Sequence, residues 1–93
     1  MKQIVPLQSF TRSAGKFSRP DKAQLAESLE QFNNFVLTGN LPVGLGFKKI
    51  GQDKYEFRAG LRLRIVVKAE GDTYYLVFNG SHDEVSRYLR KYR

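Results

Sequence analysis

The sequence predicts an α+β fold: an N-terminal strand and helical hairpin packed on a curved antiparallel sheet, with a C-terminal helix. Three observations predict it. Residues 18–39 carry apolar side chains at helical spacing. Residues 47–78 switch to alternation with a period of two, and residues 81–93 return to the helical period. The links between the alternating segments are too short for helical crossovers, so those strands pair antiparallel as a meander.

Taken in order, Gln3 to Gln8 reads as a short strand. Pro6 has no N–H to give a ladder, which puts this strand at an edge. Ser9 is a candidate cap for a short helix with Phe10, Ala14 and Phe17 at i, i+4, i+7, interrupted by Gly15. The next helix, "SRPDKAQLAESLEQFNNFVLTG", starts from Ser18 as N-cap, with Pro20 and Asp21 in its first turn. Leu25, Leu29, Phe32 and Val36 form its apolar stripe. Gly39 takes the left-handed position that ends it. "NLPVGLG" follows as a loop, with "GLG" at 44–46 a turn signal.

Four strand segments come next: "FKKI", "KYEFRA", "LRLRIVVK" and "TYYLVF", separated by "GQD", Gly60 and "AEGD". "SHDEVSRYLRKYR" closes the chain as a helix. Ser81 and Glu84 make a capping box, and Val85, Tyr88, Leu89 and Tyr92 its apolar stripe. Arg90, Lys91 and Arg93 suit the negative end of the dipole. No repeat or linker divides the chain, so residues 1–93 form a single domain.

Composition narrows the function. The 93 residues carry 16 Lys and Arg against 9 Asp and Glu, a net charge of +7, and 11 of the 16 cations lie from Lys48 onward. This excess calls for a polyanionic partner: nucleic acid, an acidic protein segment or an anionic membrane. A solubilising surface is the plainer reading of the same charge. There is no cysteine, which excludes disulfides and thiolate metal sites and favours an intracellular home. No apolar run approaches the ~18 residues of a membrane span, and "MKQIVPLQSF" has no signal-peptide pattern. The expected location is cytoplasmic, without membrane contact.

Side chains alternate faces along a strand. Tyr55 and Phe57 point one way, Glu56 and Arg58 the other. Leu61, Leu63, Ile65 and Val67 share one face and are expected to pack on the N-terminal helices. Arg62, Arg64, Val66 and Lys68 share the opposite face, which gathers Arg58, Arg62, Arg64 and Lys68 around Glu56. Like charges opposed across strands are destabilising. Their retention points to an anion lying on the sheet, and the planar fork of arginine suits phosphate oxygens. Lys48 and Lys49 point to opposite faces, so at most one joins. The chain's single histidine, His82, follows Gly80-Ser81 at the start of the last helix and should emerge at the sheet's rim. Imidazole suits proton transfer; a capping role is the alternative. Tyr88 lies on an apolar stripe, yet a tyrosine can bury its ring and keep its hydroxyl wet. No metal-ligand cluster, phosphate-binding glycine loop or serine nucleophile motif is present, so neither metal nor cofactor is expected.

The stretch "DKYEFRAGLRLRIVVKAEGDTYYLVFNGSHDEVSRYL" resembles the C-terminal half of the RelE/ParE superfamily of bacterial toxin–antitoxin toxins. The shared pattern is a tyrosine followed by alternating apolar and basic residues, a short turn, arginine before an apolar strand, an acidic turn, a strand ending in glycine, and a helix with a tyrosine near its second turn. "DKAQLAESLEQF" resembles the family's second helix. The resemblance spans nearly the whole chain, but its specific part is the C-terminal stretch. It implies a RelE-like fold and the toxin of a type II toxin–antitoxin system. That toxin is an mRNA interferase, a hydrolase that cuts mRNA, commonly in the ribosomal A site, and inhibits translation. A cognate antitoxin silences it, its acidic and apolar segments wrapping the body. The implied reaction is metal-independent, because cationic side chains supply the electrostatics. Carried over by position, Arg58 and Arg62 stabilise the phosphorane, His82 is general acid or base, and Tyr88 positions or assists. Glu56 stands where some active nucleases have lysine, as a base or as a sign of weakened activity. Lys48, Lys49, Arg64, Lys68 and Arg87 are expected RNA contacts. The ParE branch shares the fold and poisons DNA gyrase instead. A basic module that only binds RNA or protein is the third reading.

Overall fold

The computed structural model describes residues 2–91. Strand β1 (Gln3–Pro6) leads into α1 (Gln8–Ala14) and α2 (Arg19–Thr38). Strands β2 (Lys48–Lys49), β3 (Lys54–Ala59), β4 (Leu63–Glu70) and β5 (Thr73–Ser81) follow, and α3 (His82–Lys91) closes the fold. The sheet order is β1-β5-β4-β3-β2. Strands β2 to β5 form the expected antiparallel meander. The sheet is nonetheless mixed, because edge strand β1 runs parallel to β5. The long path through α1, α2 and the meander permits this, since parallel neighbours need a crossover rather than a turn.

Helices cover both faces. On one side Phe10 of α1 and Leu25 and Phe32 of α2 meet Phe57, Ala59, Leu63, Ile65, Val67 and Leu76. Phe32 has no exposed surface and stacks on Phe57, ring centroids 4.5 Å apart. Burying a side chain of this size contributes about 1.5–3 kcal/mol. On the other side Val66 and Val77 pack under Val85 of α3, with Tyr75, Phe78 and Leu89 around them. The switch between faces relies on a bulge. Val66 pairs with Phe78 and Val67 with Leu76, which leaves Val77 without a partner in the ladder. Val77 and Phe78 therefore both join the α3 side, and Asn79 returns to α1, where its amide Nδ2 donates to Phe10 O and Ser13 Oγ.

Several local expectations hold. Ser18 Oγ accepts from Asp21 N, Gly39 sits at φ 80°, and Ser81 and Glu84 exchange both capping-box bonds. Others need correction. Ser9 does not cap α1; Leu7 holds that position, and Ser9 Oγ donates to Val77 O at 2.6 Å, tying α1 to β5. Phe17 lies past the end of α1 but still packs on the core. "FKKI" yields only a two-residue strand. Leu61 does not face the helices. Residues 60–62 form a turn with Gly60 at φ 69°, so β4 starts at Leu63 and Leu61 is 94% exposed. Tyr92 and Arg93, expected in the last helix, lie outside the described residues.

Candidate functional site

The face opposite α1 and α2 is covered by α3 over β4 and β5. Strand β3 brings Lys54, Glu56 and Arg58 to this face, and β4 brings Arg64, Val66 and Lys68. Their register is Lys54 opposite Lys68, Glu56 opposite Val66 and Arg58 opposite Arg64. On the far side of β3, Lys48 stands opposite Glu56 and Lys49 opposite Tyr55. Lys48 thus joins the charged face, and Lys49 turns to the other.

Local carboxylates neutralise most of this row. Glu56 Oε2 lies 3.3 Å from Arg64 Nε, with side chains only 13% and 19% exposed. Lys54 pairs with Asp53 and Lys68 with Glu70. Arg64 Nη1 is buried and has no hydrogen-bond partner among the described residues. Arg58 and Lys48 are exposed and make no ion pair there. The face therefore offers one guanidinium fixed by a carboxylate and, directly across the ladder, one that is uncommitted. An anion placed between them would relieve the repulsion of the opposed arginines.

Arg62 is not part of this face. It belongs to the turn before β4, is 77% exposed at its side chain, and holds Asp21 Oδ1 at 2.7 Å. Asp21 lies in the first turn of α2. Extended alternation placed Arg62 beside Arg64; the turn at 60–62 breaks that alternation and sends Arg62 toward α2. There it lines a cleft of about 360 Å³ with Lys16, Phe17, Phe78, Ser81 and Glu84.

His82 is exposed and opens α3, two residues after Gly80, which is the ladder partner of Arg64. Helical spacing aligns His82 with Ser86 and Arg90. Those two face the turn at Ile50–Lys54 across an open groove, so this flank of α3 looks toward β3. Tyr88 lies about 120° around the helix from His82. Its ring stacks on Phe78 at 4.5 Å and an interplanar angle of 1°. Glu84, Arg87, Tyr88 and Lys91 line a separate shallow groove on that side. The structure thus brings Glu56, Arg58, Arg64, Lys48 and the His82 flank to one side of α3, and puts Arg87 and Tyr88 on the other.

The capping box shapes the electrostatics where α3 begins. Ser81 N donates to Glu84 Oε1 at 2.8 Å, and Glu84 N donates to Ser81 Oγ at 3.2 Å. The backbone bond from Ser81 is the main cause holding the Glu84 carboxyl below its usual range, with the Ser81 hydroxyl, Arg87 and Lys16 adding to it. Among the described residues no group of three or more His, Cys, Asp or Glu side chains is placed to hold a metal ion. No described helix is long and apolar enough to cross a membrane.

One contributor was not legible in the sequence. Gly46 sits at φ 66°, and a Cβ there would lie 3.3 Å from Arg58 Nε. "GLG" at 44–46 is therefore more than a turn signal; its second glycine packs against a side chain of the charged face.

No family model matches the chain, and no curated protein does. Solved structures do. The chain is similar to the Methanococcus jannaschii RelB-RelE antitoxin-toxin complex, with 18% identity and a TM-score of 0.70, covering 91% of this chain and 98% of the other. Similarity to the E. coli DinJ-YafQ complex reaches a TM-score of 0.72 at 14% identity, with 91% and 98% covered. A copper-bound mutant toxin from Helicobacter pylori matches with a TM-score of 0.65 at 16% identity, over 91% and 99%. The fold of this chain is therefore that of the RelE-like toxins.

Proposed function

We propose that the chain is the toxin of a type II toxin–antitoxin pair: an endoribonuclease that cuts mRNA, on the ribosome, and stops translation until a cognate antitoxin binds it. Its shared fold with toxins solved as RelB-RelE and DinJ-YafQ complexes supports the toxin role. The observation that carries the nuclease reading is the Glu56–Arg64 pair facing an uncommitted Arg58 on the side of the sheet to which the His82 flank is turned.

In this reading Arg58 and Arg64 hold the non-bridging oxygens of the scissile phosphate, where negative charge grows in the phosphorane. Arg64 takes the role that the family resemblance implies for Arg62. Glu56 removes the proton from the 2′-hydroxyl, whose oxygen attacks the adjacent phosphorus. The bond to the 5′-oxygen breaks as His82 gives that oxygen a proton. The products are a 2′,3′-cyclic phosphate and a free 5′-hydroxyl. Lys48 and Lys68 add sequence-independent attraction to the backbone.

Mapping transcript ends by primer extension after brief induction tests this. Wild type should create new ends, while His82→Ala and Arg58→Ala should not. Full cutting by both variants overturns the assignment. DNA-damage signalling without cut transcripts would place the chain with gyrase poisons, and salt-sensitive RNA binding without cutting would make it a binding module only.

A further inference from the structure

Arg58 lies opposite another arginine, is exposed, and has no carboxylate among the described residues to hold it. No ion pair among the described residues keeps its long side chain from swinging away from Arg64. A backbone loop lies against it instead. Arg58 N donates to Leu45 O at 2.8 Å. Leu45 is 1% exposed, anchored in the core, and Phe47 stacks on Tyr55 with centroids 5.0 Å apart. Gly46 is thus pinned from both sides. A Cβ on it would stand 3.3 Å from Arg58 Nε, 3.4 Å from Cδ and 3.5 Å from Cγ. Any side chain here would press on the arginine stem and make it give by a few tenths of an ångström, and the positive φ of 66° itself favours glycine.

We infer that Gly46 is a positioning residue for Arg58: the Leu45–Phe47 loop is a backbone clamp that holds the guanidinium in line with Arg64. The functional part of this inference rests on the nuclease reading; the clamp itself does not. The clamp solves a problem that the Glu56–Arg64 pair solves differently. One arginine is fixed by a carboxylate, which spends part of its charge. The other is fixed by packing, which leaves its charge available to a phosphate.

The loop supplies its own control. Gly44 also has a left-handed backbone, φ 92°, but a Cβ there meets nothing within 4 Å. Alanine at either position carries comparable backbone strain, and only alanine at 46 presses on Arg58. The experiment compares Gly46→Ala with Gly44→Ala in the full chain, using two readouts. The first is the Arg58 side-chain Nε–H resonance in a nitrogen-15 spectrum, assigned with Arg58→Ala. Gly46→Ala should shift or broaden it and Gly44→Ala should not. The second is cleavage of a defined mRNA under translating conditions. Gly46→Ala should lower the rate at saturating RNA about ten- to a hundredfold, as expected for a misplaced catalytic group. Gly44→Ala should stay within about twofold of wild type, since surface-loop strain leaves the reacting groups in place. Added to Arg58→Ala, Gly46→Ala should cost nothing further. An unmoved resonance, or equal loss from both glycine variants, overturns the clamp. A moved resonance with unchanged cleavage overturns its functional part. If Arg58→Ala itself leaves cleavage intact, the nuclease assignment of Arg58 fails, and the spectrum still decides the clamp.

Discussion

Arg58 and Arg64 face each other in register across β3 and β4, and among the described residues only Arg64 has a carboxylate partner. The asymmetry separates their expected roles under substitution. Arg58→Ala removes an exposed side chain and should change stability by less than about 0.5 kcal/mol, the usual range for surface sites. It should lower cleavage by about 10²- to 10³-fold, the cost of one transition-state donor. Urea unfolding and single-turnover cleavage on the same preparations check both parts.

Arg64 should behave otherwise, because it and Glu56 are mostly buried. Glu56→Gln leaves a buried guanidinium without its counter-charge. Full burial would cost 3–5 kcal/mol; the residual exposure here reduces this to roughly 1–3 kcal/mol. The double variant Glu56→Leu/Arg64→Met should regain most of that loss while remaining inactive, since an apolar pair satisfies the site without charge. If the double variant is less stable than Glu56→Gln, the pair contributes more to stability than its desolvation allows.

Arg62→Ala tests where the alternation ends. Arg62 pairs with Asp21 at the surface, and exposed pairs of this kind contribute about 0–1 kcal/mol. Cleavage and stability should both stay near wild type. A loss comparable to that of Arg58→Ala would return Arg62 to the site.

These outcomes mark how far the residues alone could be read. Helix α2 was legible in full, because Ser18, the Leu25–Leu29–Phe32 stripe and Gly39 all act within a few residues of one another. The meander and the Glu56/Arg58 face followed from strand alternation. Arg62 and Leu61 lie elsewhere than strict alternation predicts, because the positive φ of Gly60 starts a turn that resets the phase. The parallel seat of β1 depends on a partner some seventy residues away, and the Val77 bulge depends on cross-strand register; neither leaves a local pattern. The contact between Gly46 and Arg58 likewise exists only after the loop docks on β3.

Tyr88 is expected to serve packing. Its ring lies flat on Phe78, and an aromatic pair of this kind adds about 0.5–1.5 kcal/mol beyond area burial. Tyr88→Phe, which keeps the stacked ring, should keep cleavage. Tyr88→Ala should lower the unfolding midpoint. A cleavage defect in Tyr88→Phe with an unchanged midpoint would give the hydroxyl a chemical role.

The start of α3 should carry an acid-sensitive share of stability. Glu84 has its pKa lowered in the folded chain, first by the bond from Ser81 N. A carboxyl lowered on folding stabilises when ionised in both states, above its ordinary value of 4.5. That contribution fades as pH falls through the lowered value, where the folded state also takes up a proton. Glu84→Gln should therefore be less stable than wild type near ~pH 7, with a gap that narrows toward ~pH 3. Ser81→Ala, which removes the reciprocal hydroxyl cap, should cost about 0.5–2 kcal/mol near ~pH 7 and keep the part due to the Glu84 N–H bond near ~pH 3. Urea unfolding at the two pH values separates the effects. A gap for Glu84→Gln that widens in acid would mean that the protonated acid, and not the carboxylate, is the form that supports this helix start.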